Sequence, residues 1–97
     1  MHATASVNGT TVAETDSYEV VDGNIYFPPS SLTSSYFTPT STHTTCPYKG
    51  EASYYTISAG DKSLKDAAWY YPETKAGMEK IKGYVAFYKG RVDVKSD

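Results

Sequence analysis

The chain has 97 residues, of which 39% are apolar and 21% are charged, a balance typical of a folded protein rather than a disordered one. This length predicts one domain, residues 1–97, with its own hydrophobic core. The formal net charge of −2 provides no basic field for a nucleic-acid backbone or an anionic membrane, so we expect neither partner. The sequence has neither a run of ~20 apolar residues nor a secretory signal, which predicts a soluble protein located in the cytoplasm or elsewhere inside the cell.

Metal and nucleotide chemistry have little support in the sequence. Cys46 is the single cysteine, and His2 and His43 are the only histidines. Four-coordinate zinc cannot be completed from this set, so we expect no metal and no cofactor. The phosphate-loop, dinucleotide and Gly-x-Ser-x-Gly patterns are also missing from the sequence.

A first hairpin is predicted around Asn8-Gly9, because this pair fits a two-residue hairpin turn. It joins residues 3–7 to residues 10–14. Closing the turn at this position pairs Ala5 with Val12, and these two side chains should face the core.

A second hairpin is predicted around Asp22-Gly23 for the same reason. Its register pairs Val20 with Ile25 and Tyr18 with Phe27. All four side chains then lie on one face, which we expect to be buried. The two prolines that follow end the second strand, because neither has a backbone N–H for the ladder.

The segment 30–45 is rich in serine and threonine, and we interpret it as a long ordered loop. Two antiparallel strands, 51–58 and 62–71, should form the centre of the sheet. A short helix is expected near residues 74–82, and a last hairpin should join 84–88 to 91–94. The fold class is therefore mainly β, a compact antiparallel domain with one short helix.

The turn Cys46-Pro47-Tyr48-Lys49-Gly50 is the most concentrated candidate site. Lys49 would favour the thiolate form of Cys46, as nucleophilic or redox chemistry requires. The alternative, to which we give more weight, is a largely buried cysteine that acts as a small apolar side chain. His43 has no carboxylate near it in the sequence, so we expect an exposed histidine rather than a Cys–His pair.

Aromatic side chains are unusually frequent, with ten tyrosines and one tryptophan. Alternation along the strands sends them to both faces, so a part of them is available for a wet pocket or an aromatic cage. The candidate ligand-binding residues are Cys46, Lys49, Tyr54, Trp69, Tyr71 and Tyr88.

Five blocks of sequence, taken in order, resemble an uncharacterised family called domain of unknown function 427: 25–32, 44–55, 68–72, 83–88 and 91–94. The resemblance implies a compact fold similar to the β-tent class, whose members bind zinc between cysteine pairs or hold small ligands in aromatic pockets. A single cysteine departs from the zinc-binding members. The family is sometimes labelled nucleotidyltransferase-like, but the glycine-serine and paired-aspartate pattern of such enzymes is absent here. The family's recurring residues fall on Cys46, Pro47, Lys49, Gly50, Tyr54, Trp69, Tyr71 and Tyr88.

The sequence is compatible with three functions. The favoured hypothesis is a module that binds a small molecule or a peptide end in an aromatic pocket beside the Cys46–Gly50 turn. In that arrangement Trp69 or Tyr71 borders the main cavity together with Lys49. The alternatives are an enzyme that uses Cys46 or Lys49, and a purely structural or interaction protein; the sequence specifies no catalytic residue and no oligomeric state.

Overall fold

Nine strands and three short 3₁₀ turns form the fold in the computed structural model, which describes residues 1–97. The prediction of a mainly β protein is confirmed, while membership of the β-tent class stays a prediction. In chain order the strands are β1 (Ala3–Val7), β2 (Thr10–Thr15), β3 (Glu19–Val21), β4 (Asn24–Tyr26), β5 (Phe37–Cys46), β6 (Gly50–Ala59), β7 (Lys62–Tyr70), β8 (Val85–Phe87) and β9 (Asp93–Ser96). The 3₁₀ turns are Pro29–Ser31, Ser34–Tyr36 and Glu79–Ile81.

The strands form three antiparallel sheets, with the orders β5-β6-β7-β8, β2-β1-β9 and β3-β4. As predicted, the two long strands β6 and β7 occupy the centre of the largest sheet. Side chains from the four-stranded and the three-stranded sheets meet in the main core, so the smaller of these two sheets covers one face of the larger. Phe27, which follows β4, is fully buried in this core.

The other face of the four-stranded sheet carries a second, smaller core. Along β6, Tyr55 and Ile57 pack against the main core, whereas Ala52 and Tyr54 belong to the smaller one. This alternation is the two-residue period of a strand. The smaller core consists of Tyr26, Ala52, Tyr54, Tyr71, Ile81 and Ala86.

The first hairpin has the predicted turn but a different register. Val7 pairs with Thr10 as expected, yet Ala5 pairs with Ala13 rather than with Val12. The reason is a bulge after Ala5, which places one extra residue on β2. Val12 and Ala13 are therefore both buried, and the expected pairing of Ala5 with Val12 is wrong.

The second hairpin is confirmed in its turn and in the pairing of Val20 with Ile25. Asp22 and Gly23 have φ values of 53° and 78°, as a turn with two left-handed residues requires. Val20, however, is 51% exposed, so its predicted burial is wrong. Phe27 bridges to Val85 and lies in the core, whereas Val20 lies near the turn, away from that contact.

The segment predicted as a long loop is largely a strand. Residues 37–46 form β5, an edge strand of ten residues paired with β6. Threonine is β-branched and suits a pleated, half-exposed surface, so a polar composition here does not indicate irregular structure. Only the first part, up to Tyr36, consists of 3₁₀ turns and connecting residues.

The helix expected near residues 74–82 is reduced to the 3₁₀ turn Glu79–Ile81. Gly77 lies inside this range with a φ of 93°, which a continuous helix cannot include. Gly83, with a φ of 76°, follows the range. No helical segment is long and apolar enough to cross a membrane.

The predicted final hairpin is wrong, because β8 pairs with β7 and β9 pairs with β1. A turn after Tyr88, in which the backbone N–H groups of Arg91 and Val92 both donate to the Tyr88 carbonyl, directs the chain to the other sheet. Val92 is buried in the main core as expected, and Val94 packs against it.

Phe27 and Val20, which were both predicted to be buried in the second hairpin, differ in burial and give a stability prediction. Phe27→Ala should lower the free energy of unfolding by about 3–5 kcal/mol, because it removes a fully buried ring. Val20→Ala should lower it by less than about 1 kcal/mol, because half of that side chain is already in water. Urea titration followed by tryptophan fluorescence measures both values, and equal losses would contradict the described packing.

Candidate functional site

The Cys46–Gly50 turn joins β5 to β6 and packs tightly against the segment that follows β7. Gly50 has a φ of 125°, and a Cβ atom there would lie 2.8 Å from the carbonyl oxygen of Glu73. The backbone N–H of Lys75 donates to the carbonyl of Lys49 at 3.0 Å. Glycine is therefore required at this position by both backbone conformation and space.

Lys49 connects this turn to the second hairpin. Its ammonium group forms an ion pair with the carboxylate of Asp22, and its side chain is only 12% exposed. The hydrogen bond from Lys49 to Asp22 raises the pKa of the ammonium group, and the Asp22 charge adds to this effect. Lys49 is thus a contact between two elements of the fold.

Cys46 packs against the smaller core, but it is only half-buried, which is less than the large burial expected. Hydrogen bonding from the Tyr48 backbone N–H lowers the pKa of the thiol, and the Lys49 N–H and ammonium charge act in the same direction. His43 is exposed, and its ring nitrogen lies 3.3 Å from the Ser53 hydroxyl. Three residues apart on one strand, Cys46 and His43 point to opposite faces, so they do not form a catalytic pair.

Three aromatic side chains of the smaller core form a connected group. The Trp69 indole N–H donates to the Tyr26 hydroxyl at 3.3 Å, and the two rings meet edge to face. Tyr71 is buried beside them, and this burial raises the pKa of its hydroxyl to about 12. These contacts leave Tyr71 as a core residue.

Two bulges disturb the four-stranded sheet beside this group. Between β5 and β6 the register shifts after Pro39, so that residues 40–42 face Tyr54 alone. Between β6 and β7 the register shifts after Tyr55, so that residues 65–67 face Thr56 alone. Bulges redirect side chains and often lie next to functional sites.

Asp66 lies in the second bulge and reaches across β6 to the first. Its φ of 53° is left-handed, which is uncommon for a residue other than glycine. The two carboxylate oxygens accept hydrogen bonds from the hydroxyls of Thr40 and Thr42, each at 2.7 Å. The hydrogen bond from Thr40 makes the largest contribution to lowering the pKa of Asp66, and the one from Thr42 adds to it. The carboxylate is therefore charged near neutral pH, and the two hydroxyls fix its direction.

An open concavity of about 430 Å³ lies on this side of the sheet. Tyr54 and Tyr88 supply its aromatic surface, and the neighbouring Tyr54 side chain, together with partial burial, raises the pKa of Tyr88 to about 12. The Tyr54 hydroxyl is 2.8 Å from that of Thr44. The lining residues are Thr42, Thr44, Tyr54, Asp66, Tyr88 and Arg91.

A second concavity, of about 390 Å³, lies near the two chain termini and is lined by His2, Thr4, Lys95, Ser96 and Asp97. It contains no aromatic wall. No group of three or more His, Cys, Asp or Glu side chains in the structure is placed to bind a metal ion.

The structure brings two of the six candidate residues together at the larger concavity. Tyr54 and Tyr88 line it, whereas the arrangement expected around Lys49 with Trp69 or Tyr71 is not the one observed. Trp69 instead supports Tyr88 from the side of the smaller core, with ring centroids 4.7 Å apart. Cys46 likewise belongs to the smaller core rather than to the concavity lining.

Four lining residues were missed by sequence reasoning: Thr42, Thr44, Asp66 and Arg91. The two threonines were assigned to a loop, although their β-branched run is a strand signal. Asp66 and Arg91 depend on a bulge and on a turn between sheets, neither of which has a local sequence signature.

The ion pair between Lys49 and Asp22 predicts a measurable coupling. Lys49→Met keeps the aliphatic stem and should lower the free energy of unfolding by about 1 kcal/mol, since the Asp22 side is exposed and only the Lys49 side is buried. This corresponds to roughly 4–8 °C in melting temperature for a domain of this size. Asp22→Asn preserves the left-handed turn residue and should cost little in the Lys49→Met background.

Lys62→Met, at an exposed position without an ion pair, is the matched control and should leave the melting temperature unchanged. Additive losses in the Lys49→Met, Asp22→Asn double variant would show that the two groups do not interact.

The thiol of Cys46 should titrate below the ordinary range in the folded chain. The rate of iodoacetamide alkylation, measured against pH, should have its midpoint at a lower pH for the native protein than for the same protein in concentrated urea. Because the folded pKa is lowered, the associated stabilisation is present above the unfolded thiol pKa and is lost as pH falls through the folded value. Identical midpoints in the two states would exclude the hydrogen bonds to the sulfur.

Comparison with known proteins gives a family and no characterised relative. No curated protein matches the chain. The family described as domain of unknown function (DUF427) matches residues 1–97, the whole chain, and the protein belongs to this family.

Proposed function

We propose that this protein binds a small polar molecule, and that the concavity lined by Tyr54, Asp66 and Tyr88 is the binding site. The observation that carries the proposal is the carboxylate of Asp66, which two threonine hydroxyls hold in a fixed direction beside exposed aromatic surface. A group oriented before binding loses little freedom when a ligand arrives. Fixed polar groups next to aromatic walls are the usual composition of a small-molecule site.

The backbone conformation of Asp66 supports this assignment. A left-handed residue other than glycine costs about 1–2 kcal/mol, and such residues are frequent at ligand sites. Plain sheet formation does not require this conformation, because a regular strand would pair without the bulge. The bulge turns the carboxylate toward β5 and toward the concavity.

The dimensions also agree with a small ligand. A volume of about 430 Å³ lies within the range of roughly 300–1,000 Å³ that small-molecule sites occupy. Tyr88 is 41% exposed, so a large part of its surface is available for contact. Trp69 packs against Tyr88 at this site and against the smaller core, to which Cys46 also packs.

The enzyme alternative has one observation in its favour, the lowered pKa of the Cys46 thiol. It lacks a base within reach, because His43 lies on the opposite face, and Lys49 is engaged by Asp22. A structural role fits the turn itself, where Gly50 and Lys49 make contacts that hold neighbouring segments. A purely structural role, however, does not explain the oriented carboxylate of Asp66 and the exposed ring of Tyr88 at the concavity.

Ligand binding predicts a specific pattern of amide shifts. A library of small polar metabolites and short peptides, screened by ¹⁵N–¹H correlation spectra, should contain compounds that shift the amides of Thr42, Thr44, Asp66 and Tyr88. Tyr88→Ala should lower the affinity for those compounds by about tenfold or more, because it removes the exposed ring.

Tyr48→Ala is the matched control, since Tyr48 is 76% exposed and lies outside the concavity. It should leave the affinity unchanged. If no compound shifts the concavity amides, or if folded Tyr88→Ala binds as well as the parent, the proposed site is wrong.

A further inference from the structure

We infer that the ligand is a neutral, polyhydroxylated molecule of about monosaccharide size, recognised through two neighbouring hydroxyl groups that lie between Asp66 and Arg91. The inference rests on the proposed function and names the chemical class of its ligand. Asp66 and Arg91 are the only charged residues that line the concavity, and their charges are opposite. A ligand with a single net charge would meet one favourable and one unfavourable group.

The hydrogen-bonding capacity of these two side chains is complementary. Each carboxylate oxygen of Asp66 accepts one hydrogen bond from a threonine, and about two of its four lone-pair sites remain for a ligand. Arg91 is exposed, and the only hydrogen bond that its side chain makes within the chain is a long one, from Nη1 to the Asp66 carbonyl at 3.5 Å. Most of its N–H groups are therefore free to donate.

A pair of adjacent hydroxyl groups matches this arrangement. A hydroxyl group both donates and accepts, so one can donate to Asp66 while its neighbour accepts from Arg91. Both hydrogen bonds involve a charged protein group, which makes them stronger than bonds between neutral partners. The Asp66 carboxylate remains ionised in mildly acidic solution because its pKa is lowered.

The remaining lining suits the rest of such a ring. Tyr88 offers a partly exposed aromatic surface, supported by Trp69, against which the C–H face of a sugar or cyclitol ring can pack. The hydroxyls of Thr44 and Tyr54 bond to each other, and each retains hydrogen-bonding capacity for a ligand hydroxyl.

A zwitterionic amino acid is the closest rival, with its ammonium group on Asp66 and its carboxylate on Arg91. A small amino acid, however, would leave the hydroxyls of Thr44 and Tyr54 without ligand partners. The polyol fits the whole lining, and it predicts binding that changes little with salt, because a neutral ligand is not subject to ionic screening.

The test titrates the ¹⁵N-labelled full chain with neutral ring polyols: methyl glucoside, methyl galactoside, ribose and myo-inositol. Charged or zwitterionic comparison compounds are glucosamine, glucose 6-phosphate, glycine and leucine. At least one polyol should shift the amides of Thr42, Asp66 and Arg91, with less than a twofold change in Kd between low and high salt. Its analogue lacking one of the two adjacent hydroxyls should bind at least tenfold more weakly.

Asp66→Asn and Arg91→Gln should each raise the Kd of the polyol at least tenfold, while the correlation spectrum shows that the chain is folded. Asn tolerates the left-handed conformation, so Asp66→Asn removes the charge without forcing a change in the bulge. The matched controls Asp61→Asn and Lys62→Gln alter exposed charges in the turn and strand away from the lining, and should leave Kd unchanged.

Shifts of the same amides by glycine, leucine or a charged sugar, with none from the neutral polyols, would overturn this inference and leave the proposed function standing. Polyol binding that survives Arg91→Gln or Asp66→Asn would also overturn it. The absence of concavity shifts with any compound would overturn both proposals.

Discussion

The hydroxyls of Thr40 and Thr42 hold the carboxylate of Asp66 across the width of β6, and the form of the open sheet face depends on this contact. Both threonines come from the bulge in β5, and Asp66 comes from the bulge in β7. The bulge in β5 alone would leave an unpaired strand segment, and the bulge in β7 alone would also leave a strained residue, Asp66. Together they form a polar bridge over the central strand, in which the strain at Asp66 is offset by two charge-assisted hydrogen bonds.

The four-stranded sheet therefore has two faces with different roles. One face is buried by the three-stranded sheet, and its side chains are apolar and closely packed. The other is divided along the strands. Near the Cys46–Gly50 turn it is covered by the segment that contains Met78, Ile81 and Tyr84, and near Asp66 it is open. Gly50 makes this division possible, because its lack of a side chain lets that segment approach the turn.

The two halves of this face are connected by aromatic contacts. Trp69 donates to Tyr26 in the covered half and packs against Tyr88 in the open half. Tyr54 belongs to the smaller core through its ring, while its hydroxyl reaches Thr44 at the concavity. The residues at the concavity are thus supported by a packed interior, which limits their movement when a ligand is absent.

The sequence was most informative where the determining interaction is local. Both two-residue turns and the central strands followed from Asn8-Gly9, Asp22-Gly23 and the alternation of β6 and β7. The edge strand β5 was missed because polar composition was weighed above the β-branched shape of its threonines. The partner of β9 was missed because turn residues define where a chain reverses, and not which sheet it joins.

The same distinction explains the candidate site. Tyr54 and Tyr88 were found because aromatic residues on alternating strands cannot all be core, a property visible in composition. Asp66 gave no such signal. It follows Lys65 and precedes two alanines, and an aspartate in such a setting is typical of a solvated strand. Its role depends on three facts that only the structure combines: a bulge, a left-handed backbone and two hydroxyls from a strand distant in sequence. A site built in this way is specified by pairing between strands, and therefore by long-range contacts that no sequence motif encodes.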